Sequence, residues 1–261
     1  MPILNHPDQS LIPSATVVLC HQDNSSSPSF NVLLLKRNSK LHTHGGSWVF
    51  PGGKIDPADY QSADLSHNQP EDFNYFRFDE SQQTTIAKHA AVREAQEEAG
   101  VELAAHSLHL ISRWITPETL KKRFDTRFFI TETTTPHIEI DGGEIHEAMW
   151  ISPANALVQY KRGLMILPPP TFITLTCLMN YTSLTDALRC MPHQCRSYRP
   201  KLVTLGGELC SVYEEDAAYN LSSENHCKQA IQEGHRQHRL IMRQGDFQYI
   251  DQTFATNKSN K

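Results

Sequence analysis

Between Ile86 and Gly100 the chain reads IAKHAAVREAQEEAG, and this stretch limits the fold more than any other. A helix turns once every ~3.6 residues, so Glu94, Glu97 and Glu98, at i, i+3 and i+4, fall on one narrow face. The spacing predicts a helix from about Ile86 to Ala99, with Gly100 as a C-cap. Helical stability alone would not choose those glutamates. Like charges at these intervals repel, and Glu97 and Glu98 also lie against the negative end of the helix dipole. A divalent cation reverses the balance, because hard ions such as Mg²⁺ take carboxylate oxygens and three can converge here on one site. Taken by itself, the same face also reads as a solvated acidic surface, so its surroundings decide.

The chain of 261 residues, 39% of them hydrophobic, suffices for one large domain or a domain with an appendage. No apolar run approaches the ~18 residues of a membrane span, and the opening MPILNHPDQSLIP lacks the basic start and apolar core of a signal peptide. A cytoplasmic protein without a membrane partner is therefore expected. A net charge of -5 offers no basic field for a nucleic-acid polymer, although single phosphate-binding Arg or Lys residues remain available. The six cysteines include no C-x-x-C pair and read as reduced thiols. Cys190, His193 and Cys195 lie close together but lack the second ligand pair of a zinc site.

Ser14 to Cys20 and Asn31 to Leu35 are β-branched and aliphatic runs that read as neighbouring strands. Trp48 to Phe50 form a short strand stopped by Pro51, and the adjacent Gly52 and Gly53 allow close backbone approach. From Ile55 to Thr85 periodicity is lost in a polar, acidic segment carrying Phe73, Tyr75, Phe76 and Phe78. A loop of this length reads as a lid or a substrate-contacting segment, with a small satellite core as the alternative use of its aromatics. Strands follow at Leu108 to Ile115 and Arg123 to Thr131, the second placing Phe124, Thr126 and Phe128 on one face and Asp125, Arg127 and Phe129 on the other. Short strands are expected at Ile138 to Ile140 and Ala148 to Ile151. Ser152 then caps a helix that ends before Gly163. Helices are expected over Thr171 to Tyr181 and Ser183 to Cys190. From about Pro200 the pattern is that of a small β appendage with a late turn at Gln244 to Asp246.

The acidic helix and the glycine turn together resemble the catalytic box of the Nudix hydrolases, G-x5-E-x7-R-E-U-x-E-E-x-G-U, where U is a bulky aliphatic. Arg93, Glu94, Glu97, Glu98, Gly100 and Val101 match the second half, with a small Ala95 at one U position. Gly53 opens the first half, which ends on Asp59 in place of Glu, and 33 residues separate Asp59 from Arg93. Further blocks are similar to a coenzyme A diphosphatase-like subgroup, the nucleoside diphosphate-linked moiety X motif nineteen proteins. These are WITPETLKKRFDTRFF from Trp114, WISPANAL from Trp150 and LPPPT from Leu167. The segment LLLKRNSKLHTHGGSWVFPGG also resembles a motif of other coenzyme A-cleaving members, with Arg37 kept.

The resemblance implies an α/β fold, the Nudix α/β/α sandwich with a mixed sheet, over residues 10–190. It carries an insertion at about 60–85, and residues 191–261 form an appendage packed on it. It implies hydrolysis of a diphosphate in a nucleoside diphosphate derivative, coenzyme A or acyl-coenzyme A first, with Mg²⁺ or Mn²⁺ held by Glu94, Glu97 and Glu98. Such a reaction needs positioning and charge neutralisation around an anionic phosphorus, which carboxylate-bound metal ions supply. Arg93 is expected to orient a box glutamate. Glu144 and Glu147 are the loop candidates for the general base beside the box glutamates. Gly52, Gly53 and Lys54 are expected beside the phosphates, and Arg37 and Arg127 are candidates for the 3′-phosphate of coenzyme A, each with a salt bridge as its alternative. A Nudix hydrolase of ADP-ribose or NADH and a non-catalytic nucleotide sensor remain open at this point, as does a homodimer.

Overall fold

The longest apolar strand, Leu11–Gln22 (β1), lies at the centre of the fold. The computed structural model describes residues 11–22, 30–40, 45–63, 74–140, 142–221, 225, 226, 229, 235–243 and 245–253. β1 pairs in parallel with Arg123–Glu132 (β6) over ten positions, from Leu11 opposite Arg123 to Cys20 opposite Glu132. On its other edge the C-terminal end of β1 meets Phe30–Arg37 (β2), and its N-terminal end meets Gly52–Lys54 (β4), both antiparallel. With Trp48–Val49 (β3), His109–Ile115 (β5), Ile145–Ile151 (β7) and Arg196–Tyr198 (β8) these strands form a mixed eight-stranded sheet.

Strand alternation sends side chains to two layers. Val17, Leu19, Leu33, Leu35 and Phe129 face the alanines of Glu80–Ala99 (α2), the helix that carries the acidic face. Val18, Cys20, Val32, Leu34 and Phe128 face Pro153–Lys161 (α3), Pro169–Leu178 (α4) and Leu184–Cys190 (α5). The result is the α/β/α sandwich with a mixed sheet. Ala87, Ala90, Ala91, Ala95 and Ala99 are all fully buried, so α2 lies close to the sheet, and its glutamates stand at the edge of that contact.

α2 begins six residues earlier than its apolar pattern predicts. Asp79 and Gln82 form a reciprocal capping box, with Gln82 N donating to Asp79 Oδ1 at 2.9 Å and Asp79 N to Gln82 Oε1 at 3.1 Å. The polar run ESQQTT is helical because its end is capped, not because it has an apolar face. Gly52–Lys54, expected as a turn, is a strand. Ile138 to Ile140, expected as a strand, is coil whose Glu139 N donates to Ala99 O at 3.0 Å and seals the C-terminus of α2.

The segment between the box halves, expected as a lid or substrate-contacting loop, is described outside residues 64–73 only, and there the alternative use of its aromatics is the one seen. Its described part holds a short helix, Pro57–Ser62 (α1), and a 3₁₀ turn at Tyr75–Arg77. Tyr60 and Tyr75 are buried with Ile86, and Phe76 and Phe78 pack around them. These aromatics form a satellite core against the start of α2; Phe73 lies outside the described residues.

The main sheet continues past residue 190 through β8, which pairs in parallel with β5. Four antiparallel strands follow as a second sheet: Lys201–Leu205 (β9), Glu208–Val212 (β10), His238–Arg243 (β11) and Asp246–Asp251 (β12). Gln244, in the expected late turn, lies outside the described residues. Tyr213, Leu240, Met242, Phe247 and Tyr249 belong to the core that includes α3 and α4. Tyr160 Oη accepts from Phe247 N at 3.1 Å, and Arg196 joins Asp251 at 2.8 Å.

Candidate active site

Arg93 is the hub of the acidic face. Its Nε and Nη2 donate to the two oxygens of Asp59 at 3.1 and 3.0 Å, Nη1 to Glu94 at 2.8 Å and to Glu97 at 3.1 Å, and Nη2 also to Lys54 O at 2.9 Å. One guanidinium therefore joins the two halves of the box across the 33 intervening residues. Asp59 is 2% exposed and accepts from Asp56 N at 2.8 Å in the first turn of α1. The shorter acid thus occupies the place of the expected glutamate, and α1 carries it to Arg93.

Glu98 is the buried member of the three. Its Oε2 accepts from Gly52 N at 2.9 Å and its Oε1 lies 3.8 Å from Arg37 Nη1. Burial pushes its carboxyl up to about 8, helped by the neighbouring Glu94 and Glu144 and opposed by the Gly52 N–H and Arg37. Burial also raises Glu94, with Glu97 and Asp56 adding to it and Arg93 opposing. Glu97 is mostly exposed. Desolvated, mutually repelling carboxylates are a donor set that suits a hard divalent cation, since only added positive charge lets them ionise together. As the side chains stand, no three Asp, Glu, His or Cys groups among the described residues enclose a common point. The three glutamates are turned instead toward Arg93, Gly52 and Arg37.

Gly53 is required by close approach. A methyl group on its Cα would run into the Glu94 carboxylate, while one on Gly52 would meet the backbone of Ala15 and Thr16. Gly53→Ala is expected to displace the Glu94 side chain without unfolding the protein, because only the end of a flexible chain must move. We expect kcat/KM to fall at least ~10-fold, about 1.4 kcal/mol in the barrier, with a melting temperature near that of the wild type. Unchanged kinetics would show that Glu94 need not occupy this position.

Glu94, Glu97 and Glu98 open, with Arg93, Arg37, Gly52, Gly53, Lys54 and Glu144, into one cavity of about 960 Å³. Glu144 sits 3.2 Å from Arg37, whereas Glu147 pairs with Lys36 at 2.7 Å and does not line the cavity. Arg127 does not reach it either. It is 0% exposed on the opposite face of β6, where it donates to Glu80 at 2.7 Å, to Gln83 at 2.8 Å and to the Tyr75 hydroxyl. The substrate-contact expectation for Arg127 is therefore corrected: it is the structural salt bridge of the two alternatives. Sequence reasoning missed Lys122 and the apolar remainder of the lining, among them Trp114, Phe124, Tyr213 and Met242. Part of that lining was signalled, since the WITPETL and LPPPT blocks both border the cavity.

The layering of the sheet, the helix and the Arg93 hub defines a class, and comparison with known proteins gives the same one. The NUDIX domain model matches residues 11–166, and the chain belongs to the Nudix hydrolase family. Its curated relatives include two proteins named acyl-coenzyme A diphosphatase NUDT19. The protein of Gallus gallus is 29% identical over 154 residues, covering 51% of this chain and 41% of that protein. The protein of Xenopus laevis is 23% identical over 320 residues, covering 86% and 83% respectively. The match thus spans about two fifths of the chicken protein's length. Among solved structures, the NUDIX hydrolase of Alicyclobacillus acidocaldarius shares the fold, with a TM-score of 0.58 and 22% identity over 69% of this chain and 96% of that one.

Proposed function

We infer that the protein is a divalent metal-dependent diphosphatase of nucleoside diphosphate derivatives, with coenzyme A or acyl-coenzyme A as leading substrate. The observation that carries this reading is the shared cavity, in which the box carboxylates, the Gly52–Lys54 strand and Arg37 meet. Its size, about 960 Å³, is at the upper end of the range for small-molecule and cofactor sites. The names of the chicken and frog relatives agree with the substrate class.

When bound, Mg²⁺ or Mn²⁺ would be held by Glu94, Glu97 and Glu98 and would neutralise the phosphates and acidify water. Arg93 fixes the orientation of Glu94 and Glu97 and ties them to Asp59. Gly53 leaves room for the Glu94 carboxylate, and Lys54 and Arg37 face the phosphate charge. Glu144, held by Arg37, is the general base that takes the proton of the attacking water. Water adds to one phosphorus, the bridging P–O bond breaks, and the second phosphate leaves with the bridging oxygen.

The test is a substrate panel in Mg²⁺ and Mn²⁺ with products resolved by mass. Coenzyme A should give 3′,5′-ADP and 4′-phosphopantetheine. Dephospho-coenzyme A, lacking only the 3′-phosphate, should have a kcat/KM roughly ten- to a hundredfold lower, the effect of one lost charge-assisted contact. Equal rates would remove the 3′-phosphate from recognition, and faster cleavage of ADP-ribose or NADH would assign the enzyme to dinucleotides.

A further inference from the structure

The second sheet closes the cavity opposite the glutamates. Leu202, Ser211 and Met242 from β9, β10 and β11, and Tyr213 just beyond β10, line the same space as Glu94 and Glu98. Trp114 and Phe124 face them from the main sheet, with Leu120 in the loop between. Trp114 is itself fixed by stacking on Tyr198, ring centroids 3.9 Å apart and planes within 5°. One end of the cavity is thus charged and the other is walled by aliphatic and aromatic groups.

Two features show that this wall is more than core exposed by chance. Leu120 is 51% exposed beside an apolar cavity, where packing does not require a large hydrophobic residue. Tyr213 and Ser211, the polar residues of this wall, are both buried and hydrogen-bonded to each other, so the surface left to a ligand is the apolar one. A purine would bring several donors and acceptors to a surface whose own polar groups are already paired. The methylene run of an acyl arm brings no polar group to leave unpaired.

We propose that the C-terminal sheet is a specificity element, in which Leu202, Tyr213 and Met242, with Leu120, bind the mostly aliphatic arm carried by the second phosphate of the substrate. This rests on the diphosphatase reading for its charged end only. It makes the appendage part of the substrate site.

The experiment compares octanoyl-coenzyme A with ADP-ribose on the full-length wild type, Leu120→Asp, Met242→Trp and Tyr213→Phe. Both kcat/KM in Mg²⁺ and Kd in EDTA are measured, and the readout is the ratio between the two ligands. Leu120→Asp, on an exposed loop, carries no folding risk, and Met242→Trp fills the wall. Each should shift the ratio at least ~10-fold against octanoyl-coenzyme A, by the usual worth of apolar burial, and Tyr213→Phe, which keeps the ring, should leave it within about twofold. Ratios within twofold of wild type in Leu120→Asp and Met242→Trp, or a parallel loss on both ligands, overturn the proposal. If the wild type binds both ligands but cleaves neither, the diphosphatase reading fails, and the Kd ratios alone decide whether the arm site stands.

Discussion

Glu98→Gln is expected to lower kcat at least ~100-fold, a barrier change of about 2.7 kcal/mol, and yet to yield a protein that is more stable than wild type when stripped of metal at pH 8. The loss of turnover follows from removing one ligand and one negative charge from the cation site. The gain follows from linkage. Glu98 has a folded-state value of about 8, above the ~4.3 of a free glutamate, so between these values the folded state holds a proton that the unfolded state has released. Stability therefore falls as pH rises through that window and is lowest above it. The slope is at most about 1.4 kcal/mol per pH unit for one group.

Glutamine removes the titration while keeping an oxygen for the Gly52 N–H. In EDTA, the drop in melting temperature from pH 5 to pH 8 should be smaller in the variant than in wild type. Mg²⁺ at pH 8 should raise the melting temperature of wild type and do little for Glu98→Gln. Glu97→Gln, at an exposed position, should share the kinetic loss without the gain in stability. Undiminished turnover by either variant, or by wild type in EDTA, would sink the metal assignment. Identical pH dependence in wild type and Glu98→Gln would show that the carboxyl is not held protonated.

What the sequence reveals here depends on the range of the contact. The acidic helix, its Gly100 cap and the alternation of β6 were legible because each is a periodicity within one element. The β6 alternation predicted the faces correctly, with Phe124, Thr126 and Phe128 on the cavity and Asp125, Arg127 and Phe129 toward α2. It could not say which face holds the site, and that choice made Arg127 look like a phosphate ligand. The pairing of Asp59 with Arg93 was suggested only by resemblance, since nothing local to either residue reports a partner 34 positions away. Tyr213, Leu202 and Met242 gave no signal at all. They are ordinary apolar residues in an ordinary strand pattern, and only the docking of the second sheet turns them toward the cavity.

The position of Arg127 has a consequence opposite to the one its sequence suggests. A fully buried guanidinium tied to Tyr75, Glu80 and Gln83 holds the start of α2 and the turn at Tyr75–Arg77 against β6, and its ring contact with Tyr75 adds to the same joint. Arg127→Met leaves the Gln83 and Tyr75 polar groups facing a thioether chain, and Glu80 returns to solvent. Removing one partner from such a buried arrangement costs about 3 kcal/mol, which for a chain of this size is a fall in melting temperature of roughly 6 to 12 °C. The Glu94, Glu97 and Glu98 face of α2 lies several turns further along the helix. At temperatures where the variant remains folded, kcat/KM should therefore stay within about twofold of wild type, for coenzyme A and dephospho-coenzyme A alike. A raised KM confined to coenzyme A, with an unchanged melting temperature, would return Arg127 to the substrate. The buried arrangement predicts the reverse, because the residue holds the insertion to the sheet and is not among the residues that line the cavity.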